Sequence, residues 1–255
     1  MIPYLINKLT YPAPLVAVSS PPPSPYREVV VEYAPKDSII CWLFQHRPII
    51  ESQPIVLMFH GNGENLETMH LGGLLDGFCK LNVNFLAVDY PGYGRSTGKP
   101  SETTILNSAK SAYNWIKKGY PTNPCIIFGW SLGAAVALQI AAENISGVDA
   151  LIAVSPWTTL GDVASAHYPK FVVRNLLKEE YNSLEATKKI NCPSLIIHGE
   201  NDMIIPVEQG EKVANSLGKT AKWLQVPNAG HNDIFSDQNV WIEITDFIAR
   251  FDTRL

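Results

Sequence analysis

The chain has 255 residues, of which 46% are hydrophobic and 17% are charged, and its formal net charge is −4. This length and composition are typical of one large α/β domain and exclude a disordered chain. No block of lysine and arginine provides the positive surface that nucleic acid or an anionic membrane would need, so no nucleic-acid partner is expected.

Residues 1–28 are predicted to form an extended, proline-rich N-terminal arm. Six prolines occur between positions 11 and 25, and proline favours extended chain over a helix or a central strand. The first 20 residues contain one lysine and no long apolar run, which argues against a signal peptide. No later run approaches the roughly 20 residues that cross a bilayer, so we expect no transmembrane segment and predict a cytoplasmic location.

Short apolar runs predict eight strands, at residues 29–31, 39–44, 55–59, 85–88, 125–128, 151–154, 194–197 and 223–226. Helices are predicted at residues 66–81, 102–118, 132–143, 207–217 and 237–251. Buried strands that alternate with helices are typical of a mostly parallel sheet with helices on both faces. We therefore expect residues 29–255 to form one α/β domain whose active loops lie at the carboxyl ends of the strands.

Residues 156–190 occupy the position of a short cap above those strand ends. The segment contains eight large apolar side chains: Trp157, Val163, Tyr168, Phe171, Val172, Leu176, Leu177 and Tyr181. Two interpretations remain open, because such residues either line an acyl pocket or simply cover the sheet as a crossover helix does.

The segment Gly129-Trp130-Ser131-Leu132-Gly133 matches the G-x-S-x-G pattern and lies between an apolar run and an alanine-rich run. This context predicts a strand, a sharp turn and a helix, the arrangement called a nucleophile elbow. Such a turn raises the serine hydroxyl above the sheet and points the helix N-terminus at any negative charge that forms beside it. Ser131 is the predicted nucleophile.

A second match to the same pattern centres on Ser96. The residues before it are Pro91-Gly92-Tyr93, and Pro100 follows closely, so no strand leads into this serine and no helix begins directly after it. We interpret this match as a glycine-rich loop without a catalytic role.

A serine nucleophile requires a base, and that base must be oriented by a third group. His231 lies in a polar turn after the last predicted strand, where a side chain can reach into a cleft, and it is the predicted base. His60 and His198 precede glycines at the ends of buried strands. We interpret both as histidines that bond to nearby backbone.

The orienting acid is predicted to be Asp202, which lies directly beyond the end of the strand at 194–197. Glu200 is its close rival in the same loop. Asp233 follows His231 by two residues, and it is better placed to hold its own turn than to meet the imidazole.

Acyl transfer also needs N–H donors aimed at the developing oxyanion. The backbone N–H of Leu132 is the first predicted donor. The second is expected from the glycine-flanked turn after residues 55–59, either from Asn62 or from Gly63 as the alternative. An ordinary tight turn would explain the two glycines of that segment equally well.

Together these residues resemble the α/β-hydrolase superfamily, from residue 29 to the end of the chain. The order Ser131, Asp202, His231 is similar to the serine, acid, histidine order of that superfamily. The segments at 60–63, 89–96 and 230–233 resemble those of single-domain serine hydrolases related to protein depalmitoylases and their bacterial homologues. The resemblance implies an α/β-hydrolase fold and marks the Ser96 loop as a turn of the family.

The predicted function is hydrolysis of a carboxylic ester or thioester through an acyl-enzyme, by a serine esterase or thioesterase that acts on a small-molecule or acylated substrate. A peptidase or a perhydrolase on the same fold, and a non-catalytic binding module, are the alternatives. The four cysteines are far apart, and neither a metal-binding cluster nor a phosphate-binding glycine pattern is present, so we expect no metal and no cofactor. Oligomeric state is left open.

Overall fold

Eight strands pair into one sheet in the computed structural model, which describes residues 10–45, 53–81, 83–143, 147–171, 173, 177 and 181–252. The strands are β1 (Arg27–Ala34), β2 (Asp37–Phe44), β3 (Ile55–Phe59), β4 (Asn84–Val88), β5 (Cys125–Trp130), β6 (Ala150–Val154), β7 (Ser194–Gly199) and β8 (Ala221–Val226). All eight predicted strands are confirmed.

The sheet order is β1-β2-β4-β3-β5-β6-β7-β8. The β1–β2 and β2–β4 pairs are antiparallel, and every later pair from β4 to β8 is parallel. A mostly parallel sheet brings the carboxyl ends of its strands to one edge, where the connecting loops can form a site. The predicted fold class is confirmed.

The helices of the described residues are α1 (Leu66–Leu71), α2 (Leu74–Lys80), α3 (Glu102–Gly119), α4 (Leu132–Glu143), α5 (Leu160–His167), α6 (Ser183–Thr187), α7 (Val207–Leu217) and α8 (Gln238–Ala249). Helices α3, α4 and α7 pack against one face of the sheet, and α1, α2 and α8 pack against the other. The parallel strands consist almost wholly of apolar residues because both faces are covered.

One helix prediction is wrong in its extent. The periodic pattern predicts a continuous helix at 66–81, but the chain breaks between α1 and α2 at Gly72 and Gly73. Gly73 adopts a φ of 81°, a left-handed conformation that glycine reaches without a steric cost and that no α-helix contains.

Within its described residues, the cap segment divides its large side chains between the core and the surface. Trp157 and Tyr181 are buried in the core cluster on the α4 face of the sheet, whereas Phe171 is exposed. Val172 and Leu176 lie outside the described residues. The buried pair supports the interpretation that the segment covers the sheet.

The N-terminal arm lies across the loop that follows β3. Residues 11–26 contain no helix or strand. The side chain of Asn62 donates to the Thr10 carbonyl at 2.6 Å, and that of Asn65 donates to the Val16 carbonyl at 2.7 Å. Tyr11 is buried, and its hydroxyl lies 2.9 Å from that of Tyr181.

Candidate active site

Ser131 occupies the turn between β5 and α4 in a strained backbone conformation. Its φ is 57°, a left-handed value that costs energy for any residue with a Cβ. Glycines on either side allow the turn: a Cβ at Gly129 would lie 1.9 Å from the Gly133 carbonyl oxygen, and one at Gly133 would lie 2.1 Å from the Phe59 carbonyl oxygen. This geometry explains the G-x-S-x-G spacing.

His231 and Asp202 complete a hydrogen-bonded chain with Ser131. The Nε2 of His231 lies 3.0 Å from Ser131 Oγ, and its Nδ1 lies 2.7 Å from Asp202 Oδ2. Asp202 follows β7 and His231 follows β8, so two neighbouring strand ends place them beside the β5 turn. All three side chains are buried.

Asp202 is held in position by both its oxygens. Its Oδ1 accepts hydrogen bonds from the N–H groups of Ile204 and Ile205 at 2.9 and 2.7 Å, which leaves Oδ2 for His231. Burial by itself raises the pKa of this carboxyl, but hydrogen bonds from His198, His231 and Ile205 outweigh burial and hold the pKa well below its ordinary value. Asp202 is therefore ionised beside the imidazole at neutral pH.

The two rival carboxylates are used elsewhere. Glu200 accepts a hydrogen bond from the Asn228 N–H at 3.2 Å, and Asp233 accepts one from the Gly230 N–H at 2.7 Å. Both are exposed. Each therefore stabilises the loop that carries His231, as expected for Asp233.

Ser96 is the centre of the second G-x-S-x-G match, and its hydroxyl is engaged in hydrogen bonds to the backbone. Its Oγ donates to the Asp89 carbonyl at 2.9 Å and accepts from the Ile40 N–H at 2.9 Å. The hydroxyl thus connects its loop to β2 and to the end of β4. These contacts indicate a structural role for Ser96.

Leu132 is the first residue of α4, so its N–H has no hydrogen-bond acceptor within the helix. Asn62 is fixed on the opposite side of the site by Tyr93, whose hydroxyl lies 3.0 Å from the Asn62 carbonyl oxygen and 2.9 Å from Asn62 Oδ1. With Nδ2 bonded to the arm, the Asn62 loop is held rigidly while its backbone N–H stays a candidate oxyanion donor.

His60 and His198 make the predicted backbone contacts, at 2.7 Å to the Gly61 carbonyl and at 2.9 Å to the Ile205 carbonyl. The sequence reasoning missed their acidic neighbours. His198 Nε2 lies 3.3 Å from Asp202 Oδ2, and His60 Nε2 lies 3.4 Å from Asp89 Oδ1. In the sequence, Asp202 follows His198 by four residues, with Gly199 between them. This spacing was the signal that could have indicated the contact between His198 and Asp202.

A cavity of about 420 Å³ opens onto Ser131 and His231, within the size range of ligand pockets. Glu64 lines it and was also missed by the sequence reasoning. Burial raises the pKa of Glu64 above its ordinary value, while His60, the Gly61 N–H and His231 act in the opposite direction. Of the described residues that line this cavity, Glu64 carries a carboxyl and none is a lysine or arginine.

Within the described residues, no group of three or more histidine, cysteine, aspartate or glutamate side chains is arranged to hold a metal ion. In the same part of the chain, no helix has the length and apolar character needed to cross a membrane.

The family profile described as "Serine aminopeptidase, S33" matches residues 50–185, which is more than half of the chain. The chain belongs to the α/β-hydrolase family. A second profile, described as "TAP-like protein", matches residues 176–250 of this hydrolase. The resemblance inferred from the sequence motifs is confirmed.

Relatives of the hydrolase occur in bacteria and animals. An uncharacterized protein of Mycobacterium tuberculosis is 35% identical over 210 residues, which cover 81% of this chain and 73% of the relative. Human protein ABHD12B is 29% identical over 82% of this chain and 64% of its own length. The lysophosphatidylserine lipase ABHD12 of Danio rerio is 32% identical over 64% of this chain, which spans about half of that relative, 47% of its length.

Solved structures share the fold at low sequence identity. A Pyrococcus furiosus esterase superposes with a TM-score of 0.72 at 20% identity, over 89% of this chain and 91% of the esterase. An α/β hydrolase of Vibrio vulnificus superposes with a TM-score of 0.73 at 22% identity, over 89% of this chain and 81% of that one.

Proposed function

We propose that the hydrolase cleaves a carboxylic ester or thioester, with Ser131 as nucleophile, His231 as general base and acid, and Asp202 as the orienting acid. The observation that carries the proposal is the continuous Asp202–His231–Ser131 hydrogen-bond chain, with contacts of 2.7 and 3.0 Å. The esterase and lipase relatives and neighbours support an ester substrate.

In the proposed reaction, Ser131 Oγ attacks the carbonyl carbon while its proton moves to His231 Nε2. The oxyanion is stabilised by the N–H groups of Leu132 and Asn62. The tetrahedral intermediate then expels the alcohol or thiol, which takes the proton from His231. A water molecule next attacks the acyl-enzyme and gives a proton to His231. The second tetrahedral intermediate then collapses, His231 returns the proton to Ser131 Oγ, and the carboxylic acid is released.

Peptide cleavage is the second candidate, because the matching family description names an aminopeptidase. Glu64 in the catalytic cavity is an observation in its favour, since a carboxylate there can pair with the ammonium group of a peptide N-terminus. Aminoacyl p-nitroanilides distinguish this candidate from the esterase, because they are the amide counterparts of p-nitrophenyl esters.

The test combines labelling with turnover. A fluorophosphonate probe should label Ser131, Ser131→Ala should abolish the labelling, and Ser96→Ala should retain it. The unaltered enzyme should hydrolyse p-nitrophenyl acetate with a kcat/KM far above that for alanine p-nitroanilide. Labelling that persists in Ser131→Ala contradicts the assignment of the nucleophile, and the reverse order of substrates favours the peptidase.

A further inference from the structure

His198 is a second histidine in contact with the orienting acid, and the proposed reaction gives it no role. It lies in β7, and its side chain is fully buried. Its Nε2 lies 2.9 Å from the Ile205 carbonyl oxygen and 3.3 Å from Asp202 Oδ2. Both neighbours are acceptors, because the Asp202 carboxyl is ionised, so Nε2 carries a proton that the two oxygens share.

The other ring nitrogen of His198, Nδ1, is buried and has no hydrogen-bond partner within the described part of the chain. Gly210 of α7 and Trp223 of β8 pack against the ring, and neither carries a charge. A Cβ at Gly210 would lie 2.2 Å from Nδ1, so this glycine leaves the space that the ring occupies. An apolar side chain would fill that space without the cost of an unpaired nitrogen, so the role of His198 lies in its Nε2–H group.

His198 contacts both halves of the Asp202 carboxylate. Oδ2 accepts a hydrogen bond from His231 Nδ1 at 2.7 Å and also faces His198 Nε2, so two imidazoles share its negative charge. Oδ1 accepts from the Ile205 N–H at 2.7 Å, and the carbonyl of Ile205 accepts from His198. His198 thus restrains the carboxylate directly at Oδ2 and through Ile205 at Oδ1.

We infer that His198 is a positioning residue, which fixes the Asp202 carboxylate and limits how strongly that carboxylate attracts the proton of His231. The inference rests on the proposed function and adds a fourth side chain to its hydrogen-bond chain. A carboxylate that rotates would orient the imidazole poorly. A carboxylate that gives its whole charge to His231 would stabilise the imidazolium, which would then release its proton to the leaving group less readily.

Steady-state kinetics with p-nitrophenyl butyrate test the positioning role. His198→Leu removes the Nε2–H donor and keeps a buried side chain of similar size. Its kcat should fall about tenfold or more, the scale of a hydrogen bond to a charged group, while KM changes less than twofold. His198→Gln places an amide N–H as many bonds from the backbone as Nε2, and it should recover most of the lost kcat.

The matched control is His167→Leu. His167 is exposed, and its Nε2 lies 2.8 Å from the carbonyl oxygen of Ile204, which belongs to the loop that carries Asp202. This variant also removes an imidazole that binds a carbonyl of the loop, but it leaves His198 in place, so kcat should change less than twofold. An equal loss of kcat in the two leucine variants, or no recovery in His198→Gln, overturns the positioning role.

The pH profile of kcat/KM tests whether His198 shares the charge of the acid. Among the described residues, the ionisable groups that act on His231 are Asp202 and Glu64, and Asp202 also faces His198. His198→Leu leaves Oδ2 to His231 alone, so the imidazole should hold its proton more strongly and the acidic limb should move to higher pH. Glu64 is unchanged in this variant, and an unmoved limb or one at lower pH overturns the sharing of charge.

A measurement without turnover separates this inference from the proposed function. In Ser131→Ala, the low-field proton resonance of His231 Nδ1–H is identified by its loss when His231→Phe is added. It should move to lower field when His198→Leu is added instead, because Oδ2 then accepts from one imidazole, and an unchanged resonance overturns the inference. Absence of both labelling and ester hydrolysis in the unaltered enzyme counts against the proposed function, and the resonance then decides the role of His198 on its own.

Discussion

At the scale of single residues, Asp202 differs from its neighbours in how completely its carboxylate is engaged. Two backbone N–H groups bind Oδ1, and His231 and His198 approach Oδ2. Glu200 and Asp233 are exposed and accept hydrogen bonds from loop N–H groups. A buried, fully bonded acid is what keeps an imidazole in one tautomer and orientation.

Replacing Asp202 by asparagine should therefore lower kcat by several orders of magnitude, about 10⁴ in the serine-protease precedent, while the protein remains folded. Glu200→Gln and Asp233→Asn should each lose far less than Asp202→Asn. Steady-state kinetics with p-nitrophenyl butyrate, accompanied by circular dichroism, measures this difference. If Glu200→Gln instead abolishes activity while Asp202→Asn has a mild effect, the orienting acid is Glu200 and the assignment to Asp202 is wrong.

Glu64 should influence the pH dependence of the reaction. In the proposed mechanism the neutral form of His231 is the base, so kcat/KM should rise on an acidic limb as pH increases. Glu64 lines the same cavity as His231, and the two groups interact electrostatically. Glu64→Gln removes the carboxylate and should move the acidic limb of kcat/KM to lower pH.

The matched control is Glu208→Gln, which removes an exposed carboxylate on α7. Its pH profile of kcat/KM should coincide with that of the unaltered enzyme. A limb that moves to higher pH in Glu64→Gln would show that Glu64 does not act on the imidazole as a negative charge.

At the scale of elements, the N-terminal arm braces the loop that carries Asn62. Thr10 accepts a hydrogen bond from the Asn62 side chain, and the neighbouring Tyr11 is buried against Tyr181. Burial of Tyr11 thus holds the neighbouring Thr10 carbonyl in position to accept the hydrogen bond from the Asn62 side chain. The arm connects the cap segment with the candidate oxyanion loop.

Tyr11→Ala should lower stability by about 3 kcal/mol, the scale for removing a buried aromatic ring, and should lower kcat more than it raises KM because the Asn62 loop loses its brace. Tyr11→Phe removes the hydroxyl alone and should cost about 1 kcal/mol. Urea unfolding and steady-state kinetics measure both effects. Leu15→Ala on the same arm is the control, since Leu15 is fully exposed. If Leu15→Ala lowers stability and kcat as much as Tyr11→Ala does, the effect does not come from the anchoring of Tyr11.

At the scale of the whole molecule, the site contributes to stability against acid. The pKa of Asp202 is lowered on folding, so its contribution is fully present above the pKa of an unfolded aspartate, near 3.9, and is lost as pH falls through the lower folded value. The free energy of unfolding in urea should therefore fall from pH 7 to pH 3 by a smaller amount in Asp202→Asn than in the unaltered protein. Asp233→Asn is the control, and an equal fall in all three proteins would show that Asp202 does not contribute.

Much of the fold follows from local patterns in the chain. Apolar runs such as Ile55–Phe59 and Cys125–Trp130 predict buried parallel strands because the side chains on both faces must leave water. The turn at Ser131 is also predictable, because its strain requires glycine at the positions that the pattern specifies. These features depend on residues that are close together in the chain.

The sequence by itself therefore determined the strands, most of the helices, the elbow and a short set of candidates for base and acid. Tertiary structure decided which candidates meet: Asp202 and His231 approach Ser131 because β7 and β8 lie in order beyond β5 in the sheet. Long-range packing also placed Glu64 in the catalytic cavity and interrupted the predicted helix at Gly73. Contacts between distant segments have no local pattern, since their energy comes from neighbours that only the folded chain brings together.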